Sequence, residues 1–163
     1  MARNRYGRIV ALVRQAAALA RKMGIPNLLQ PGLVREMILA DLLGHRLIAT
    51  KRDADACDAN DSSILYEYLT CKEGGTGQFD RMFKSPSKKR AESLKRIRRN
   101  RRIYFAVFYE DDQLALKAVY ELEVPVVLRE TERQLDRSKN AISHVGFTER
   151  WVKRHAKVVF ENR

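Results

Sequence analysis

A chain of 163 residues has room for one domain with a real core, and too little for separate catalytic and recognition domains. Its 32 Lys and Arg against 20 Asp and Glu give a formal charge of +12, while 45% hydrophobic content keeps it in the globular class. That charge predicts a polyanionic partner, and a membrane span is excluded because no apolar stretch approaches the roughly 20 residues a bilayer crossing needs.

Seven basic residues precede the first acid, Glu36. Arg14 interrupts the apolar run Ile9 to Leu19 and no small-residue cleavage pattern follows, so the expected location is the cytoplasm. Within residues 8–23, Ile9, Leu12, Val13, Ala16, Leu19 and Ala20 recur at helical spacing, which predicts an amphipathic helix ending at Gly24. Gly24, Pro26, Pro31 and Gly32 mark a loop, and Pro31 is placed to open a second helix running to Leu43, with Val34, Met37, Ile38 and Leu42 as its buried stripe.

After Gly44 come a short apolar stretch, Leu47 to Ala49, and an acid-rich segment, Asp53 to Asp61, with the composition of a hairpin turn. Ile64 to Cys71 follows as a strand, broken by Gly74, Gly75 and Gly77. Cys57 and Cys71 show neither CxxC nor paired Cys/His spacing, which argues against a disulfide framework or a zinc site. A basic helix over Ser87 to Arg99 precedes two apolar runs, Ile103–Tyr109 and Leu114–Leu122, which form a hairpin around Glu110, Asp111 and Asp112. A polar helix at Val126–Arg137, a loop at Ser138–His144 and a closing segment to Phe160 complete the chain. Helices first, then strands, then mixed elements predict an α/β fold with a mixed β-sheet flanked by helices.

Two carboxylates stand out. Asp55 lies where one strand would end, and Glu67 sits among Ile64, Leu65, Tyr66, Tyr68 and Leu69, where burying a carboxylate without a partner is costly. A hairpin between them would bring two hard oxygen donors together, the kind of ligand Mg²⁺ prefers in phosphodiester hydrolysis.

Lys84 to Arg102 carries ten cations against one acid, Glu92, a density that predicts phosphate contact by Lys84, Lys88, Lys89 and Arg90 among others. Base edges are read by side chains with directed donors and acceptors, which makes Gln78, Arg81 and Asn140 the candidates for that task. His45, His144 and His155 are widely spaced, and Trp151 reads as a core residue.

The segment Leu43-Gly44-His45-Arg46-Leu47-Ile48, followed by Asp55-Ala56-Cys57-Asp58 and Tyr66-Glu67-Tyr68, resembles the core of the PD-(D/E)xK nuclease superfamily, and especially the PvuII-like restriction endonucleases. The early helices, the hairpin Tyr104 to Glu123 and the late segment around Asn140 occur in matching order. The resemblance implies a restriction-endonuclease-like sheet, Asp55 and Glu67 as metal ligands, and Glu36 as a supporting acid. It also implies a Mg²⁺-dependent endonuclease cutting double-stranded DNA as a homodimer, within a system that includes a cognate DNA methyltransferase it does not bind. It divides the single domain into a helical dimerisation region (1–43), a catalytic core (44–123) and a C-terminal recognition and packing segment (124–163).

The sequence departs from the pattern two residues after Glu67, where Leu69 stands in place of the usual lysine. The nearest amine is Lys72, which strand alternation starts on the opposite face. Lys72 taking the lysine's role is the expectation, and a non-catalytic nucleic-acid-binding module keeping the nuclease fold is the competing one. A basic RNA-binding protein would explain the charge and leave Glu67 unexplained.

Overall fold

The computed structural model describes residues 6–48 and 54–162, so Ala49 and Asp53 lie outside the described residues. The chain divides into two compact units, Met1–Val34 and Arg35–Arg163.

The first unit carries α1 (Gly7–Lys22). Gly24, at φ +82°, ends it by letting the Gly24 and Ile25 amides turn back onto the carbonyls of Arg21 and Ala20. Ile9, Leu12 and Leu19 are each more than half exposed, a large apolar surface for one helix to present.

The unit boundary falls inside α2 (Leu33–Leu43). Leu33, Leu39 and Ala40, rather than the predicted Val34 and Leu42, are its buried residues, and Leu42 is exposed. Pro31 lies in the turn two residues ahead of the helix.

A six-stranded sheet follows, built from β1 (Arg46–Leu47), β2 (Ala56–Cys57), β3 (Leu65–Lys72), β5 (Arg102–Phe108), β6 (Leu116–Leu122) and β8 (Lys157–Glu161). Its order is β1-β2-β3-β5-β6-β8, and only β3 and β5 are parallel. A parallel pair needs a long crossover, supplied here by β4 (Thr76–Phe83) and α3 (Ser87–Arg98). β4 does not join the sheet; it pairs antiparallel with β7 (Ile142–Thr148) as a separate two-stranded ribbon. α4 (Val124–Arg137) and α5 (Glu149–His155) complete the elements.

The fold is therefore mixed α/β, with a mostly antiparallel sheet flanked by helices. Alternation on β3 sorts the two sides. Leu69 and Cys71 enter the larger core, with Phe105 and Val107 of the sheet, Phe79 and Phe147 of the ribbon, Ile97 of α3 and Leu135 of α4. Tyr66 and Tyr68 face Leu39 and Ala40 of α2 with Tyr104 and Phe108.

Two expectations change. The acid-rich segment is not one turn, because Ala56–Cys57 pairs with both β1 and β3. The ribbon replaces a stretch read as loop: Gly77 and Phe79 alternate with Gln78 and Asp80, and Val145 and Phe147 with His144, a period-two pattern hidden by the glycines and by short runs. No described helix is long and apolar enough to cross a membrane.

Candidate active site and nucleic-acid interface

Two-residue β2 sets the position of the first carboxylate. Its register, Ala56 opposite Tyr66 and Cys57 opposite Leu65, places Asp55 one step further, across from Glu67. The Ile48 amide donates to the Asp55 carbonyl at 2.8 Å, and the Tyr68 amide donates to Asp55 Oδ2 at 2.7 Å. Asp55 is thus held from both neighbouring strands. Glu67 lies on the β3 face that carries Leu69 and Cys71, with its side chain only 12% exposed and Oε2 buried without a hydrogen-bond partner.

Burial raises the pKa of both carboxyl groups, and the charge of Asp55 raises that of Glu67 further. Arg99 and Arg96 oppose the shift on both. Arg99 Nη2 stands 3.9 Å from Glu67 Oε2. Glu36 is close enough for its charge to raise Glu67 as well. The structure thus brings Asp55 and Glu67 together, with Glu36 near enough for its charge to act on Glu67.

Among the described residues no group of three or more His, Cys, Asp or Glu side chains is placed to hold a metal. Two carboxylates nevertheless fit Mg²⁺, which takes one or two carboxylates and completes its octahedron with water and phosphate oxygens. An oxygen of a buried acid that has no hydrogen-bond partner is open to such an ion, since buried polar groups are otherwise satisfied.

Lys72 is not at this site. It ends β3 five residues beyond Glu67, roughly 16 Å away at the rise of an extended strand, and on the opposite face. Its ammonium is paired with Glu110 at 2.6 Å. Leu69, in the usual lysine position, is buried in the larger core. A lysine could not lie there undisturbed, because β4 passes directly over it: a Cβ on Gly77 would stand 3.0 Å from Leu69 Cβ and 2.8 Å from Phe105 Cε2.

The ribbon supplies the reading candidates. Its inner face is apolar, whereas Gln78, Asp80, Arg81 and His144 are exposed. Between Phe79 and Met82 the register shifts, so that Asp80 and Arg81 face His144 alone, and Arg81 takes a left-handed backbone at φ 51°. A bulge of this kind re-aims side chains out of the ladder. Asp80 Oδ1 meets His144 Nδ1 at 2.8 Å and accepts from Gln78 Nε2 at 2.9 Å. The Asp80 and His144 pairing escaped sequence reading because the two residues are 64 positions apart. Asn140 is exposed in the turn that leads into β7, at the opposite end of the ribbon from Gln78.

The basic run divides by function. Lys84 donates to the carbonyls of Ser138 and Asp136 at 2.7 and 3.2 Å, and Arg90 pairs with Asp136 at 2.8 Å. These two clamp the ribbon end and α3 to the end of α4, rather than standing clear for phosphate. Lys89 lies over the Phe83 ring, and Lys88, Lys95, Arg98 and Arg101 are exposed. Arg96 donates to the Asp80 carbonyl at 3.1 Å, so one side chain touches the bulge while its charge acts on both buried carboxylates. Trp151 packs against the core and stacks on His155, consistent with its expected place.

No family model matches the chain, and no curated protein matches it.

A carboxyl group whose folded pKa exceeds its unfolded value holds its proton more tightly when folded; its contribution to stability is present below the unfolded value and fades as pH rises through the folded one. In EDTA the protein should therefore lose stability as pH climbs above about 4.3, the ordinary glutamate value. Glu67→Gln should be more stable than the wild type at pH 8 by on the order of 1–2 kcal/mol, with the difference shrinking toward pH 5. Urea-unfolding midpoints across that range measure it, and a variant no more stable than the wild type at pH 8 would contradict the assignment.

Proposed function

We propose that this chain is a Mg²⁺-dependent endonuclease that cuts double-stranded DNA at a defined site, with the sheet arranged as in restriction endonucleases. The observation that carries the reading is the Asp55 and Glu67 pair, set opposite one another by the β2 and β3 register and buried beside two arginines. Buried acids held this way lose stability to no structural benefit unless a cation joins them, whereas a functional site needs them so.

Asp55 and Glu67 would hold the ion, which when bound supplies an activated water and neutralises charge on the leaving oxygen. The chain's own residues do the rest. Lys88, Lys95, Arg98 and Arg101 offer exposed charge to phosphates, and the bulged ribbon offers Gln78, Arg81 and His144 to groove edges. A two-stranded ribbon is narrow enough for the major groove.

One carboxylate pair cuts one strand, so a homodimer matches a palindromic site, and the exposed apolar face of α1 is the surface proposed to join the two copies. A methyltransferase of the same specificity would protect host DNA without binding this chain. The competing reading, a binding module that keeps the fold and does not cut, is favoured by Leu69 in the lysine position.

Plasmid DNA digested with Mg²⁺ should yield discrete fragments, and Asp55→Ala or Glu67→Ala should abolish cutting. A smear would remove the site-specificity, and retention of DNA in a gel shift without cleavage by any divalent metal would favour the binding module. Light scattering should return twice the chain mass; a monomer that remains a monomer on DNA would contradict the dimer.

A further inference from the structure

We infer that Arg99, at the C-terminal end of α3, is the catalytic cation of the site, contacting the attacked phosphate in place of a strand-borne lysine. The inference rests on the nuclease reading above and names the residue that reading leaves unassigned.

Hydrolysis forms one P–O bond from water and breaks the bridging P–O bond; the water's proton passes to solvent and the departing oxygen takes one up. Negative charge gathers on the non-bridging oxygens as this happens, and a fixed cation aimed there lowers the barrier. Arginine keeps its proton throughout, so it contributes charge and donors rather than acid or base.

Four observations converge on Arg99. Its Nη2 is 3.9 Å from Glu67 Oε2, too far for a hydrogen bond, so the guanidinium is held beside the acid without being consumed by it. Its Nε is buried with no hydrogen-bond partner, and Glu67 Oε2 is likewise unpartnered. An oxygen-bearing ligand completes the buried donor, a cation completes the carboxylate oxygen, and the guanidinium fork matches two oxygens of one phosphate.

Two alternative cations have partners of their own: Lys72 pairs with Glu110, and Arg96, whose charge also acts on the acids, donates to the Asp80 carbonyl. Finally, the backbone that carries Arg99 is fixed. Buried Asn100 donates through Nδ2 to the carbonyls of Arg96 and Ile97, and the Arg101 amide donates to Leu65 O at 2.7 Å, tying the helix end to the start of β3. A cation at a helix C-terminus is also favoured by the helix dipole.

The alternative is that Arg99 only offsets the charge of Glu67 for folding. The experiment takes wild type, Arg99→Gln and Arg99→Lys through three measurements: single-turnover cleavage of plasmid in Mg²⁺, plasmid affinity in Ca²⁺, and calorimetric binding of Mn²⁺ without DNA. We expect Arg99→Gln to cut about 10²-fold slower or worse, with plasmid affinity within a few-fold and Mn²⁺ affinity unchanged or tighter, since a competing cation has left Glu67. Arg99→Lys should fall between, at least about tenfold slower than wild type, because an ammonium lacks the two-pronged contact.

Cutting by Arg99→Gln within threefold of wild type overturns the inference, as does loss of Mn²⁺ binding in step with cleavage. Should Arg99→Gln fail to fold, Arg99→Lys decides alone, and a wild-type rate from it overturns the inference. A wild type that cuts nothing with any divalent metal overturns the nuclease reading and this inference with it; a cutting wild type beside a cutting Arg99→Gln overturns this inference only.

Discussion

Two carboxylates held out of water within range of one another are the constraint on which this structure turns. Each is penalised by desolvation, and Asp55 adds its charge to the burden on Glu67. The surrounding elements offset the penalty without removing it. β2, only two residues long, presents Asp55 to the Tyr68 amide, and α3 ends where Arg96 and Arg99 oppose the negative charge. One oxygen of Glu67 still has no hydrogen-bond partner. Evolution of a purely structural sheet would favour an apolar pair at these positions, since well-packed hydrophobic replacements of buried ions are often neutral or stabilising.

The crossover between β3 and β5 carries β4, one strand of the ribbon, together with the basic helix α3. The ribbon lies on the same sheet face as Glu67, packing Phe79 and Phe147 into the core that holds Leu69 and Cys71. Arg96 then spans the short remaining gap, its guanidinium on the Asp80 carbonyl at the bulge and its field on the acids. Gly77 is what allows the ribbon to approach so closely, because any side chain there would meet the Phe105 ring and Leu69.

Much of this was legible in the sequence where the signal was local. The α1 period, the Gly24 stop, the basic helix and the β5 and β6 hairpin around Glu110 to Asp112 all follow from spacing and turn chemistry, and the structure agrees within a few residues. Glu67 stood out because an acid amid apolar neighbours contradicts ordinary burial, and Asp55 because it lies where one strand would end. What escaped was set by pairing across long separations. The ribbon partners lie between 59 and 72 residues apart, and Arg99 is indistinguishable from its basic neighbours until the helix end is placed beside β3. Lys72 looked like the nearest available amine, yet strand parity and Glu110 hold it elsewhere. Lys84 and Arg90, counted as phosphate contacts, proved to be clamps on α4.

On the proposed reading this acid pair is a divalent-cation site that carries a bound proton until the ion arrives. Calorimetric titration of Mn²⁺ at pH 6.5 or thereabouts, in buffers of different ionisation enthalpy, tests it without reference to DNA or sequence specificity. One binding event per chain is expected, with proton release, an affinity that rises with pH as the raised carboxyl groups ionise, and loss of the event in Asp55→Asn. Absence of binding, or binding that persists undiminished in Asp55→Asn, would contradict it.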